Sequence, residues 1–215
     1  MVTIGQSPRN DVTSDIKDIL GSKIEIIECG ALDELTLEDV KKLEPKKGEY
    51  VLVTRLRDGT QVKVSRNKII QRIRECIRKI ENYVDIIVLL CTGEFPEINS
   101  KKPLIKPSTL LYNVVLGLLP KGRLGILIPS PDQIKEVEDK WKKSKLKLIV
   151  KTLSPYMSEN VKNVANEFRK ENVDMIVLDC IGYGKEIARI IKEATNKPVL
   201  LPRTLLARII RELCE

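Results

Sequence analysis

The chain is 215 residues long, 42% hydrophobic and 32% charged, with a formal net charge of +8. That is the composition of an ordinary globular protein, long enough to bury one large core or two small ones. No apolar run approaches the roughly 18 residues of a membrane span, and the N-terminus lacks a basic-then-apolar leader, so a cytoplasmic location with reduced thiols is expected.

The predicted elements alternate. Val2 to Gly5 reads as a short strand, and Ser7-Pro8 resembles a helix cap with proline at the first helical position, leading into Val12 to Leu20. Lys23 to Cys29 alternates as IEIIEC and predicts a strand; Thr36 to Leu43 predicts a short helix stopped by Pro45. Tyr50 to Arg57 and Thr60 to Val64 flank Asp58-Gly59, a strong hairpin signal. Ser65 is placed to cap a helix carrying Ile69, Ile73, Ile77 and Ile80 at helical spacing. Asp85 to Leu90 is a continuous apolar run, the pattern of a parallel strand covered on both faces. GEFPEINSKKP then has the composition of an exposed loop. The second half reads helix Pro107 to Leu119, strand Leu124 to Ile128, Ser130-Pro131 capping helix Asp132 to Lys142, strand Lys145 to Val150 and helix Glu159 to Glu171. Strand Met175 to Leu178, helix Gly184 to Ala194, strand Val199 to Leu201 and helix Arg203 to Leu213 complete it.

Two stretches nearly repeat each other: VDIIVLLCTG (Val84 to Gly93) and VDMIVLDCIG (Val173 to Gly182) agree at seven of ten positions. Each half also opens strand, Ser-Pro, helix. Ser7 precedes Cys91 by 84 residues and Ser130 precedes Cys180 by 50, and the extra 34 fit an insertion holding the hairpin. The fold class is therefore α/β: two pseudo-symmetric, mainly parallel-sheet units with a β-hairpin insertion at about 48–65 in the first. The expected boundaries are 1–105, 106–199, and a strand-helix segment 200–215 returning to the first unit.

Five cysteines without a C-x-x-C pair argue against a disulfide framework and against a zinc knuckle. Cys29, Cys76 and Cys214 read as small packed hydrophobes. The absence of histidine excludes Ser-His-Asp and Cys-His pairs and His-ligated metals, leaving carboxylates, Lys, Tyr or thiols for acid/base work. Because ligands in open parallel sheets bind beyond the carboxyl ends of strands, Ser7, Cys91, Ser130 and Cys180 all fall at candidate sites. Thiols opposed across one cleft would suit chemistry on two faces of one carbon.

Paired half-molecules, each with a strand ending in cysteine, resemble the aspartate/glutamate racemase superfamily, whose enzymes use no pyridoxal phosphate. Within it the chain is most similar to the AroM family, through TIGQSPR, VSRNK, LLCTG, VLDCIGYG and PVLLPRTLLARII in order along nearly all 215 residues. The superfamily resemblance implies a cofactor-free and metal-free two-base mechanism on a small carboxylate: one thiolate removes the α-proton while the opposite thiol protonates the other face. Cys91 and Cys180 are then the catalytic candidates, with Ser7, Arg9, Thr92, Ser130 and Gly182 binding substrate and Arg66, Gly93 and Tyr183 as further candidates. It also implies a homodimer. Superfamily members usually carry Thr-His around the second cysteine, where this chain has Ile181-Gly182-Tyr183. Asp179 is expected to raise the Cys180 pKa, so Cys91 is the stronger single candidate for a decarboxylase or isomerase. Two other readings stand beside the enzyme: a carboxylate-binding or sensory module that kept the cleft, and a nucleic-acid binder. Lys and Arg are spread along the whole chain, and their densest cluster, KWKKSKLKLIVK, sits in no nucleic-acid module, so the basic balance reads as a solvated surface.

Overall fold

The computed structural model describes residues 1–157 and 159–215. The chain divides into two units, Met1–Asn10 with Ile24–Ser108, and Asp11–Lys23 with Thr109–Glu215. In chain order the elements are β1 (Val2–Thr3), α1 (Asn10–Leu20), β2 (Cys29–Gly30), α2 (Leu37–Lys42), β3 (Val51–Arg55), β4 (Gln61–Ser65), α3 (Arg66–Ile80), β5 (Ile87–Leu90) and β6 (Leu104–Ile105). There follow α4 (Pro107–Leu118), β7 (Gly122–Ile128), α5 (Ile134–Trp141), β8 (Leu146–Thr152), α6 (Val161–Lys170), β9 (Met175–Leu178), α7 (Lys185–Thr195), β10 (Val199–Leu200) and α8 (Pro202–Cys214).

The first unit holds a four-stranded parallel sheet in the order β2-β1-β5-β6. The second holds a parallel sheet in the order β10-β9-β7-β8. Read from its other edge, that is β8-β7-β9-β10. Each sheet thus places its first strand second from one edge, its second strand at that edge, and its cysteine strand next to the first. The duplication legible in the residues is a duplication of topology.

The cysteine strands read IVLL and MIVL and are buried at every position, as expected where both faces of a sheet are covered. The helical stripe Ile69, Ile73, Ile77 and Ile80 is buried in the first core. Hairpin β3–β4 pairs antiparallel, with Gly59 in its turn at φ +94°, a conformation glycine enters without strain.

Five expectations are corrected. The alternating stretch 23–29 contributes only Cys29–Gly30 to the sheet, because its partner β1 pairs over two residues. Ser7-Pro8 is no helix cap: α1 begins at Asn10, and Ser7 is engaged by Asp33. Ser65 precedes α3 but makes no side-chain cap bond. Cys29 and Cys76 form a disulfide, Cα–Cα 5.6 Å, joining β2 to α3. Counting cysteines could not anticipate it, since 47 residues separate the pair and helical packing alone makes them neighbours within bridging range. The segment 200–215, assigned to the first unit from sequence, falls in the second, where β10 pairs with β9. By contrast Thr36 forms a full capping box with Asp39, and Ser130 caps the 3-10 turn Pro131–Gln133 that leads into α5.

Among the described residues no helix is long and apolar enough to cross a membrane.

Candidate active site

In each unit the chain leaves its first strand for one edge of the sheet and later returns on the other side, so the strand order reverses between β1 and β5, and between β7 and β9. Loops beyond the carboxyl ends of strands at such a reversal are where α/β sheets bind ligands. Ser7 and Arg9 follow β1, Cys91 to Gly93 follow β5, Ser130 follows β7, and Cys180 to Tyr183 follow β9.

The two cysteine turns share one geometry. The Cys91 amide donates to the Leu89 carbonyl at 2.8 Å and that of Cys180 to Leu178 at 2.7 Å. Each sulfur then accepts the amide N–H two residues on: Gly93 N–H to Cys91 Sγ at 3.3 Å, and Gly182 N–H to Cys180 Sγ at 3.3 Å. A thiolate accepts such bonds far better than a thiol. Both residues are over nine-tenths buried, at 7% and 9% exposure, and neither is in a disulfide.

In the first unit the loop after β1 is held by a carboxylate that sequence reasoning missed. Asp33 accepts the Ser7 amide at 2.7 Å, the Ser7 hydroxyl at 2.6 Å and the Gly30 amide at 2.7 Å. Gly30 is dictated by this approach, because a Cβ there would lie 2.7 Å from both Ser7 N and Asp33 Oδ1. Arg57 on the hairpin donates to the Ser7 carbonyl at 2.8 Å, and Arg72 on α3 donates to the Ala31 and Asp33 carbonyls. Arg9 is 3% exposed and its Nη1 reaches Thr3 Oγ1 and Thr54 Oγ1 at 3.3 and 3.2 Å. The turn after Cys91 is braced by the hairpin: Tyr50 Oη accepts the Glu94 amide at 2.9 Å, while Arg66 stacks 4.1 Å over the Tyr50 ring and donates to the Glu94 carbonyl. Arg66 therefore supports this loop instead of lying idle on a helix surface. Thr92, beside the thiol, is buried.

In the second unit Ser130 is buried, and its hydroxyl lies 3.0 Å from an Asp132 carboxylate oxygen. Asp179 does not stand alone before Cys180. Lys140 on α5 meets it at 2.9 and 3.3 Å, with the two side chains 5% and 4% exposed. Sequence reasoning had read Lys140 as part of a solvated basic cluster; the fold pairs it with the carboxylate next to the thiol. Tyr183 is turned into the core, its hydroxyl donating to the Leu153 carbonyl at 2.6 Å, and burial pushes its pKa well above the ordinary value. The Gly182 carbonyl accepts from Arg203, another residue missed as part of the site.

The AroM protein family matches residues 1–214. The chain belongs to the AroM family. No curated protein matches the sequence. Among solved structures it is similar to the aspartate racemase of Picrophilus torridus, with TM-score 0.61 and 15% identity over 99% of this chain and 93% of that one. It is also similar to the maleate isomerase Iso of Pseudomonas putida S16, with TM-score 0.63 and 12% identity over 99% and 91% of the chains. Glutamate racemase of Francisella tularensis, solved with D-glutamate, gives TM-score 0.60 and 16% identity over 99% and 80%. At these identities the likeness is one of fold. Among the described residues of this AroM-family chain, no cluster of three or more acidic or cysteine side chains is placed to hold a metal ion.

The missed residues had weak local signals. Arg203 lies in PRTLLARII, a stretch that carried the family resemblance, yet nothing local distinguishes it from the other arginines of its helix. Asp33 in ALDEL has no motif at all, and only the three hydrogen bonds it accepts from Ser7 and Gly30 identify it.

Proposed function

We propose that the chain catalyses cofactor-independent proton transfer on a small carboxylate, of the racemase, isomerase or decarboxylase type, with Cys91 and Cys180 as acid/base groups. The observation that carries this reading is the doubled turn. Two strands at the same place in the same strand order each end in a cysteine whose sulfur accepts an amide N–H from a glycine at 3.3 Å. A buried cysteine kept only for packing has no need of that donor twice over.

In the proposed reaction a thiolate takes the α-proton and the second thiol returns a proton to the carbon, so no net proton is consumed. Negative charge developing on the substrate carboxylate needs donors. Thr92 and Arg9 stand as the proposed ones, while Ser7 and Ser130, whose hydroxyl protons are directed at Asp33 and Asp132, hold their loops. The structural neighbours, described as aspartate racemase, glutamate racemase and maleate isomerase, are consistent with a substrate of this class.

The test is exchange of the α-proton for deuterium in heavy water, read by NMR across a panel of small amino, hydroxy and dicarboxylic acids. A substrate should show exchange that Cys91→Ala reduces at least 100-fold. Ligand-induced thermal stabilisation without any exchange across the panel would instead identify a binding module and reject the proposal.

A further inference from the structure

Arg203 is the most completely buried cation contacting either cysteine turn, at 3% exposure. It enters from the first turn of α8. Its Nε donates to the Ile181 carbonyl at 3.0 Å and its Nη2 to the Gly182 carbonyl at 2.7 Å. Its Nη1 reaches the Asp11 carbonyl at 2.9 Å and Asp15 Oδ2 at 3.0 Å. The Ile181 carbonyl and the Gly182 N–H belong to a single peptide group. One end of that peptide accepts from the guanidinium, and the other end donates to Cys180 Sγ at 3.3 Å. Hydrogen bonds in series polarise one another. A cation on the carbonyl therefore makes the N–H a stronger donor, and the gain is greatest when the sulfur is negative.

We propose that Arg203 is a positioning residue that stabilises the Cys180 thiolate through the Ile181–Gly182 peptide, so that this cysteine ionises despite having no histidine partner. The inference rests on reading Cys180 as a working thiol. The charged and titratable groups around that thiol can be named. On its own loop are Asp179 and Tyr183; α5 supplies Lys140, which pairs with Asp179 at 2.9 Å. Arg203 comes from α8, α1 contributes Asp11 and Asp15, and the segment after β8 contributes the Tyr156 hydroxyl beside Gly182. Lys185, at the start of α7, meets Asp15 at 3.4 Å and Asp18 at 2.9 Å. Lys140 pairs with the carboxylate adjacent to Cys180, and Arg203 shares Asp15 with Lys185. Burial draws the Arg203 pKa down, and Asp15, Asp11 and Cys180 push it back up.

The arrangement makes a prediction of sign that simple packing does not. Removing the cation should raise the Cys180 pKa, and removing the anion that shares the cation should lower it. The experiment follows the Cys180 Cβ resonance of protein labelled with 13Cβ-cysteine as a function of pH, with Cys91→Ala used for assignment and Cys214 as the exposed reference. Arg203→Gln should move the Cys180 midpoint up by about one unit or more, and Asp15→Asn should move it down by about half a unit. Arg203→Lys, which keeps the charge but loses the fork, should fall between wild type and Gln. Methyl spectra establish that each variant is folded; if Arg203→Gln does not fold, the direction of the Asp15→Asn shift decides. Midpoints unchanged within about 0.3 unit, or shifts of both variants in one direction, overturn the proposal. Because the titration needs no substrate, shifts of the expected sign in a protein that exchanges no α-proton would refute the proposed function and leave this inference standing.

Discussion

Reducing the Cys29–Cys76 disulfide, or replacing both residues in Cys29→Ala/Cys76→Ala, should destabilise the first unit by a predictable amount. The bridge closes a loop of 47 residues. On the chain-entropy model such a loop removes about 14 cal/mol/K from the unfolded ensemble, or about 4 kcal/mol at 25 °C. Little of this should be recovered from new contacts, because Cys76 already packs in the core at 4% exposure. The folded state should nevertheless survive, since Arg72, one turn before Cys76 on α3, still grips the Ala31 and Asp33 carbonyls. For a chain of this size the loss corresponds to a fall in Tm of about 8–16 °C. The probe must report on the right unit. Trp141, the single tryptophan, lies in the second unit, so its fluorescence is the wrong signal. Hydrogen exchange of peptides spanning 24–33 and 66–80 is the right one, with far-UV circular dichroism for the global transition. The reduced wild type and the double variant should coincide, and the double variant should ignore reductant. A thiol count gives an independent check: unfolded, unreduced protein should take up three maleimides, at Cys91, Cys180 and Cys214. Five adducts, or a urea midpoint insensitive to reductant, would refute the reasoning.

Two further outcomes follow from the site. Asp33→Ala removes the acceptor of the Ser7 amide, the Ser7 hydroxyl and the Gly30 amide, and should cost about 3 kcal/mol while raising hydrogen exchange in residues 5–10; unaltered exchange there would mean the carboxylate does not hold the loop. Tyr183 has its pKa raised by burial, so the stability it contributes is complete below the unfolded value of about 10 and is lost as pH rises above it. Denaturant midpoints of the wild type should thus fall more steeply above pH 10 than those of Tyr183→Phe, which should itself cost about 1 kcal/mol at neutral pH; parallel curves would contradict the assignment.

Much of the fold was legible because its signals are local. The apolar runs ending at Cys91 and Cys180, the Asp58-Gly59 turn, the short helix after Thr36 and the Ser130 cap each depend on residues within a few positions of one another. The duplication was legible because the strand, Ser-Pro, helix opening and the cysteine strand occur twice. What escaped were contacts between residues distant in sequence. Asp33 meets Ser7 across 26 positions, Lys140 meets Asp179 across 39, Arg203 meets Ile181 across 22, and Cys29 meets Cys76 across 47. Each of these residues belongs to a type abundant on surfaces or in cores, and its role is set by packing that no periodicity encodes. The Ser7 reading failed for a related reason: Ser-Pro before a helix is a cap signal, but a carboxylate 26 residues on offered the hydroxyl a stronger, charge-assisted bond.

The repeat also explains which parts of the two sites could diverge. The main-chain turn is the same in both units, down to the 3.3 Å donor to sulfur, and each of its glycines is closely covered by side chains. A Cβ at Gly93 would meet Leu52 Cδ2 at 2.6 Å, with the Tyr50 ring behind it, and one at Gly182 would meet Pro155 Cγ at 3.0 Å, with the Tyr156 hydroxyl beside it. The covering residues are unrelated in origin: the hairpin insertion supplies them in the first unit, and the segment after β8 supplies them in the second. The arginines differ as well, since Arg66 binds the Glu94 carbonyl, past the turn, whereas Arg203 binds the peptide that donates to the sulfur. The two turns thus share a backbone geometry but differ in their cover and in the arginine that contacts them. Tyr50 and Leu52 of the hairpin thus line the Cys91 turn, whereas Pro155 and Tyr156 line the Cys180 turn.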